Sequence, residues 1–186
     1  MFKVAIVGQQ CAGKTITAEK IMQRFYAPVM VKFADPIYNT LQILGQTKHR
    51  GFMTEFGDLA KKHFGDDIFV KIFDVRSQSL EVFGSKQGGV DLLICDDVRR
   101  YYEMELCQKL GYKILFVEAD ESIRRKRANG QGLTFVESHN SENEVPSLRQ
   151  YADDIITNSS DLDALNWEVN RALVTAVCKQ ATASMH

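Results

Sequence analysis

Short runs of apolar residues recur along the sequence and predict the strands of a single sheet. Several of these runs do not alternate with polar residues, which is the pattern of strands covered on both faces in parallel sheets. Leu92-Leu93-Ile94 is the clearest example. The predicted strands cover residues 2–7, 29–33, 90–95, 113–117 and a short segment centred on 155–156.

Apolar residues at helical spacing fill the segments between these runs. Between the second and third strands the spacing predicts three successive helices, where a plain alternating domain has one. The first begins at Pro36 with Asp35 as its N-cap, and the others cover residues 52–64 and 68–83. We therefore expect residues 35–89 to form a helical cap over a second substrate. Further helices are predicted at residues 16–25, at 101–110, from 119 onward and from Asp161 to Val177.

The loop after the first strand carries the most specific motif, Gly-Gln-Gln-Cys-Ala-Gly-Lys-Thr at positions 8–15. It matches the P-loop pattern G-x-x-x-x-G-K-[ST], and the strand before it and the helix after it are the context this motif requires. Lys14 is expected to reach the β- and γ-phosphates of ATP, and Thr15 to offer its hydroxyl to Mg²⁺. The predicted nucleotide-binding residues are Gly8, Gln9, Gln10, Cys11, Ala12, Gly13, Lys14, Thr15 and Ile16.

The order of strands, loops and helices predicts an α/β protein with a three-layer P-loop NTPase fold. We expect one kinase domain over residues 1–186, with a five-stranded parallel sheet, the cap at 35–89 and a short lid with its following segment at 124–150. Ligands of such sheets bind beyond the carboxyl ends of the strands.

Acidic residues follow two of the predicted strands at that edge. Asp96 and Asp97 come after Leu93-Ile94-Cys95, and either could fix the metal, while the other could cap the next helix. Asp97 is the preferred metal residue together with Thr15. Asp35 is expected to orient or deprotonate the acceptor, although its predicted N-cap role is an alternative explanation.

Basic residues in and after the cap are candidates for binding phosphate. Arg50, Lys71, Arg76 and Arg99 could bind an acceptor phosphate, and each taken alone could instead be a surface charge. Arg124 and Arg127 share one helix face before a glycine-containing segment, as cations of a closing lid would. A solvated basic helix is the alternative for this pair.

Composition adds few constraints. The formal net charge of −1 gives no general basic field for nucleic acid, and the four cysteines match no zinc pattern. No apolar stretch approaches the length of a membrane span, and the first strand begins too early to leave room for a signal peptide. We expect a cytoplasmic protein that does not bind membranes, and a homodimer is compatible with the sequence.

The chain resembles the phage deoxynucleoside monophosphate kinases, in the adenylate-kinase-like branch of P-loop kinases. Beyond the P-loop, the resemblance lies in Phe33-Ala34-Asp35-Pro36, in Asp97-Val98-Arg99 with Glu103, and in a closing region. That region comprises His139, Ser141-Glu142 and Asp153-Asp154-Ile155-Ile156-Thr157-Asn158.

The resemblance implies transfer of the ATP γ-phosphoryl group to a nucleoside or deoxynucleoside 5′-monophosphate, with Mg²⁺, in the host cytoplasm if the chain is phage-encoded. By position it places Arg124 and Arg127 at the transferring phosphates. Phe69 stands where relatives often have tryptophan, and the short lid without cysteines is similar to that of dephospho-coenzyme A kinase. The implied catalytic residues are Lys14, Asp35, Arg124 and Arg127, and the implied acceptor-binding residues are Phe33, Asp35, Arg50, Phe69, Lys71, Arg76, Asp97 and Arg99.

Two other functions are compatible with the same motif. Some phage P-loop kinases of similar outline phosphorylate a hydroxymethyl group on a modified base in DNA, and such an enzyme needs a basic groove. A nucleotide-dependent regulatory protein would need no acceptor pocket.

Overall fold

The sheet has five strands, all parallel, as the uninterrupted apolar runs predict. In this computed structural model, residues 1–47, 49–86, 89–133, 135 and 143–183 are described. The strand order is β2-β3-β1-β4-β5, so that β1 occupies the centre. The strands are β1 (Phe2–Val7), β2 (Pro28–Met30), β3 (Leu92–Val98), β4 (Lys113–Glu118) and β5 (Asp154–Thr157).

Helices cover both faces of the sheet and complete a three-layer α/β fold. On one face, α1 and α8 pack on alternate residues of β1 such as Val4 and Ile6. On the other face, Ala5 and Val7 of β1 contact a second core that includes Met104 of α5. The helices are α1 (Lys14–Met22), α2 (Asp35–Ile43), α3 (Arg50–Phe64), α4 (Ile68–Lys86), α5 (Tyr101–Lys109), α6 (Glu121–Gly130), α7 (Val145–Leu148) and α8 (Leu162–Ala183), with a 3₁₀ turn at Arg149–Tyr151.

The three helices α2, α3 and α4 lie between β2 and β3 in the chain, as the spacing predicts. Helix α4 contributes buried side chains such as Phe73 to the core. Phe73 of α4 stacks on Phe33 with ring centroids 4.0 Å apart, and the buried hydroxyls of Ser77 and Tyr112 lie 2.6 Å apart. We infer that α4 is a fixed support for the side chains at its sheet-facing side.

The chain around β2 differs from the sequence-based prediction. β2 ends at Met30 instead of residue 33, and β3 continues to Val98 instead of ending at Cys95. The backbone N–H groups of Phe33 and Ala34 donate to the carboxylate of Asp97 and not to a neighbouring strand. The carboxylate of Asp97 therefore replaces the backbone hydrogen bonds that a neighbouring strand would make to residues 33 and 34. Hydrophobic periodicity cannot predict such a replacement.

Two other boundaries also shift. Helix α1 begins at Lys14 and ends at Met22, shorter at its C-terminal end than predicted. The N-cap of α2 is Ala34, so the prediction that Asp35 caps this helix is wrong. The carboxylate of Asp35 instead accepts from the backbone N–H of Lys32 at 2.9 Å. At α8, Asp161 accepts from the N–H of Ala164 at 2.8 Å, as an N-cap should.

Candidate active site

The P-loop joins the central strand β1 to α1 and turns tightly against its neighbours. Gly13 has a φ of 101°, and a Cβ added there would overlap the side-chain amide of Asn158. A Cβ added at Gly8 would overlap the carbonyl oxygen of Val117 in β4. Only glycine fits both positions, which explains the spacing of the two motif glycines. Cys11 takes a left-handed φ of 60°, a conformation that is unfavourable for a residue with a side chain.

Two side chains from outside the loop hold its carbonyl groups. Asn158, 4% exposed, donates through Nδ2 to the carbonyl oxygen of Ala12 at 2.8 Å. Arg127 of α6 donates to the carbonyl oxygen of Asn158 at 3.0 Å and contacts those of Cys11 and Ala12 at 3.4 and 3.5 Å. Asn158 and Arg127 therefore fix the loop through its carbonyl groups, and the N–H of Ala12 donates within the loop to the carbonyl oxygen of Gln9 at 3.1 Å.

Lys14 lies over the same loop. Its Nζ donates to the carbonyl oxygens of Gly8 and Gln9 at 2.5 and 3.1 Å. A long ammonium side chain held by neutral carbonyl groups can exchange them for phosphate oxygens, which carry full charge. The geometry therefore suits a lysine that binds the phosphates of a nucleotide.

A carboxylate and a hydroxyl meet at the foot of α1. Asp96, 5% exposed, has Oδ2 3.4 Å from the hydroxyl of Thr15. Its Oδ1 lies 2.7 Å from Nζ of Lys32, an ion pair, and among the described residues it has no aligned hydrogen-bond donor. Hydroxyl and carboxylate oxygens are the ligands that Mg²⁺ takes.

Asp97 binds the chain segment that follows β2. Its two oxygens accept from the N–H groups of Phe33 at 3.1 Å and Ala34 at 3.0 Å, and Cys95 Sγ lies 3.2 Å away. Burial raises the pKa of Asp97 above its usual range, although these hydrogen bonds oppose the rise. Because both oxygens bind the loop after β2, this geometry disfavours the expected metal role of Asp97. Nor does either aspartate cap α5, where Glu103 accepts from the N–H groups of Arg99 and Arg100.

The candidate acceptor side is built on Asp35 and Arg76. Oδ2 of Asp35 lies 2.7 Å from Nη1 of Arg76 in α4, and the same oxygen accepts from the N–H of Lys32. Phe69 lies two helical turns before Arg76 on the same face of α4, so its side chain and the arginine share one side of that helix. Phe33, 4% exposed, packs inside against Phe73.

Other predicted acceptor residues are more scattered. Lys71 lies on the far side of α4 from Arg76, with its side chain 65% exposed and 2.9 Å from Asp67. The structure therefore does not bring Lys71 to Asp35. Arg99 is exposed just beyond β3, and Arg50 is the first residue of α3. His139, Ser141 and Glu142 of the predicted closing region lie outside the described residues.

The predicted lid arginines are not free cations in this structure. Arg124 is 8% exposed, donates through Nε to the carbonyl oxygen of Ala119 at 3.2 Å, and has its guanidinium 5.4 Å from the ring centre of Phe135. Arg127 is held on the P-loop as described above. Their shared helix face is thus directed inward, which disfavours the alternative of a solvated basic helix for this pair.

Three residues that sequence reasoning gave no site role belong to this region: Lys32, Asn158 and Glu103. Lys32 had no recognisable signal, and Asn158 appears only as the last residue of the closing region; their partners Asp96 and Ala12 are distant in the chain. Glu103 belongs to the Asp-Val-Arg-x-x-x-Glu pattern, and burial raises its pKa to about 7 despite the two N–H groups that it accepts from.

No helix among the described residues combines the length and the apolar character needed to cross a membrane. In the same part of the chain, no three or more His, Cys, Asp or Glu side chains gather as a metal cluster.

The structure is similar to solved structures of two kinds of kinase, shikimate kinase and gluconokinase. Shikimate kinase from Aquifex aeolicus has a TM-score of 0.56 at 11% identity, covering 96% of this chain and 98% of that one. Shikimate kinase from Bacteroides thetaiotaomicron has a TM-score of 0.53 at 12% identity, covering 92% and 96%. A gluconokinase from Sinorhizobium meliloti has a TM-score of 0.51 at 12% identity, covering 100% and 98%. No protein-family model and no curated protein matches the sequence. At these identities the likeness concerns the fold alone, and the chain has the α/β P-loop fold of these kinases.

Proposed function

We propose that the protein transfers the γ-phosphoryl group of ATP to a small acceptor, and that the acceptor is a nucleoside or deoxynucleoside 5′-monophosphate. One observation carries the proposal. The segment from Lys32 to Asp35 contacts Asp96 beside the P-loop through one side chain and Arg76 of the cap through another. Donor and acceptor groups therefore meet at the carboxyl edge of the sheet, where such folds bind ligands.

The residues at the foot of α1 fit a divalent cation. Asp96 offers a buried carboxylate whose Oδ2 lies 3.4 Å from the hydroxyl of Thr15, while its Oδ1 pairs with Lys32. We therefore assign the metal to Thr15 and Asp96 in place of Asp97. A bound Mg²⁺ would supply neutralisation of the phosphate charge that builds up during transfer.

The protein's own residues divide the remaining tasks. The P-loop N–H groups and Lys14 bind the donor phosphates, and Asn158 and Arg127 hold the loop in shape.

Arg76 can leave Asp35 for an acceptor phosphate, with which a guanidinium forms two parallel hydrogen bonds. Asp35, once released, would orient the acceptor. Arg50, Phe69 and Arg99 are proposed to complete the acceptor pocket, and Arg124 to close over the phosphates.

The acceptor class is tested by ADP release with ATP and Mg²⁺ against a panel of candidate acceptors. The panel contains the ribo- and deoxyribonucleoside monophosphates, DNA containing hydroxymethyluracil, and shikimate and gluconate, the acceptors named for the similar structures. We expect one or a few monophosphates to stimulate release. Stimulation only by the modified DNA, or only by a hydroxy acid, would overturn the acceptor proposal and leave phosphoryl transfer intact.

Lys14→Ala tests phosphoryl transfer itself. Lys14 donates to two carbonyl oxygens of its own loop, and we expect its removal to leave the fold in place while lowering kcat by about 100-fold or more. Circular dichroism and the melting temperature of the variant provide the control for folding. Substantial transfer by a folded Lys14→Ala variant would contradict the assignment of the P-loop as the donor site.

A further inference from the structure

Lys32 lies at the junction of the two halves of the site, and the proposed function gives it no task. Its Nζ lies 2.7 Å from Oδ1 of Asp96, with side-chain exposures of 23% and 3%. Its backbone N–H donates to Oδ2 of Asp35 at 2.9 Å. A single residue thus contacts the aspartate of the donor side and the aspartate of the acceptor side.

The pair with Asp96 balances a charge that would otherwise be costly. A carboxylate as buried as that of Asp96 is strongly destabilising unless a cation lies beside it. The Nζ of Lys32, 2.7 Å from Oδ1, supplies that cation.

The same carboxylate is the one that we assign to the metal. Thr15 approaches Oδ2 at 3.4 Å while Lys32 holds Oδ1 at 2.7 Å. The ammonium and a divalent cation bound at Thr15 and Asp96 would repel one another at such separations. Both cannot bind Asp96 at full strength.

We propose that Lys32 is the counter-ion of Asp96 in the metal-free protein and competes with the divalent cation for that carboxylate. This inference rests on the metal site of the proposed function, but not on the identity of the acceptor. Lys32 holds the carboxylate of Asp96 in place before the metal arrives, at the cost of a weaker metal affinity. The release of its ammonium then couples metal binding to the segment that holds Asp35.

Lys32→Met separates this competition from a purely structural ion pair. In EDTA, the variant should melt about 5–10 °C below the wild type, because a buried charge loses its partner. Mn²⁺ without nucleotide should reduce that difference, and the Mn²⁺ affinity measured by electron paramagnetic resonance should rise about tenfold or more. Lys109→Met is the matched control, since Lys109 is 67% exposed and pairs with Glu105 on the surface.

The alternatives give different results. An equal loss of melting temperature with and without Mn²⁺, at unchanged Mn²⁺ affinity, would make Lys32 a structural pair and overturn the proposal. If neither the wild type nor Lys32→Met binds Mn²⁺, or if Asp96→Asn binds Mn²⁺ as tightly as the wild type, the proposed metal site itself is wrong and the proposal is overturned with it. If Lys32→Met does not fold, Lys32→Gln, which keeps a donor without the charge, should show the same gain in Mn²⁺ affinity. These measurements are made without ATP or acceptor. Their outcome is therefore independent of whether the acceptor panel identifies a nucleoside monophosphate.

Discussion

Single atoms determine whether the P-loop can form. Gly13 combines a left-handed φ of 101° with a position in which a Cβ would overlap the amide of Asn158. Gly111, after α5, also has a left-handed φ, of 81°, but open space around its Cβ position. Replacing each glycine by alanine therefore distinguishes two contributions to the loss of stability. Both variants lose free energy through the left-handed backbone, and only the variant at Gly13 also loses it through steric overlap.

Gly13→Ala should destabilise the protein much more than Gly111→Ala. The control carries only the conformational penalty, about 1 kcal/mol, whereas overlap with a buried amide should bring Gly13→Ala to about 3 kcal/mol or more. Denaturant unfolding measures both free energies. Equal losses would show that the loop moves away from Asn158 without cost.

A second single-residue effect concerns pH. Glu103 sits at the start of α5, near Asp97 and Arg99, and burial raises its pKa from 4.5 to about 7. The folded state therefore binds this proton more tightly than the unfolded state does. Its contribution to stability is complete below about pH 4.5 and is lost as the pH rises to about 7.

Glu103→Gln should remove that part of the pH dependence. The free energy of unfolding of the wild type, relative to the variant, should fall by up to about 3 kcal/mol between pH 4.5 and 7. Glutamine keeps an oxygen to accept from the N–H groups of Arg99 and Arg100. Glu105→Gln, in a surface pair with Lys109, should leave the slope unchanged. A constant difference between wild type and Glu103→Gln across this range would refute the role of Glu103.

At the scale of elements, the local parts of the site were predictable and the long-range parts were not. The P-loop, its strand and its helix are contiguous, so periodicity and one motif locate them together. The bonds of Phe33 and Ala34 to Asp97 join distant segments and shorten β2 in a way that an apolar run cannot show. Distance in sequence also hides the contact of Asn158 with Ala12, which are 146 positions apart.

Asn158 links the turn after β5 to the P-loop and to α6, and its removal tests that link. Asn158→Ala leaves the buried carbonyl of Ala12 without its 2.8 Å donor, which should cost about 1–3 kcal/mol. The KM for ATP should rise while the KM for the acceptor stays the same, because only the donor loop loses its support. Asn170→Ala, which removes a surface acceptor of Arg24, should change neither. A loss of stability without a change in the KM for ATP would make Asn158 a folding residue only.

At the scale of the whole molecule, the strand order explains why two binding sites can share one edge. The sequence predicts five parallel strands, but their order β2-β3-β1-β4-β5 is a property of the folded sheet. It places β3, with Asp96 and Asp97, between the P-loop strand and the strand that leads to Asp35. Helix α4 packs on the face of the sheet that α5 also covers, and its Arg76 lies beside Asp35 at this edge.

A ligand that occupies both halves should therefore stabilise the molecule more than either half-ligand. A dinucleotide that joins adenosine to the acceptor nucleoside through a polyphosphate should raise the melting temperature by about 5–10 °C at 100 times its Kd, and ATP or the monophosphate alone by less at the same concentration. Arg76→Met should abolish the advantage of the dinucleotide while the shift with ATP persists, because Arg76 belongs to the acceptor half alone. A dinucleotide that stabilises the wild type no better than ATP would mean that the two halves do not bind ligands together, and the proposed geometry of transfer would fall with it.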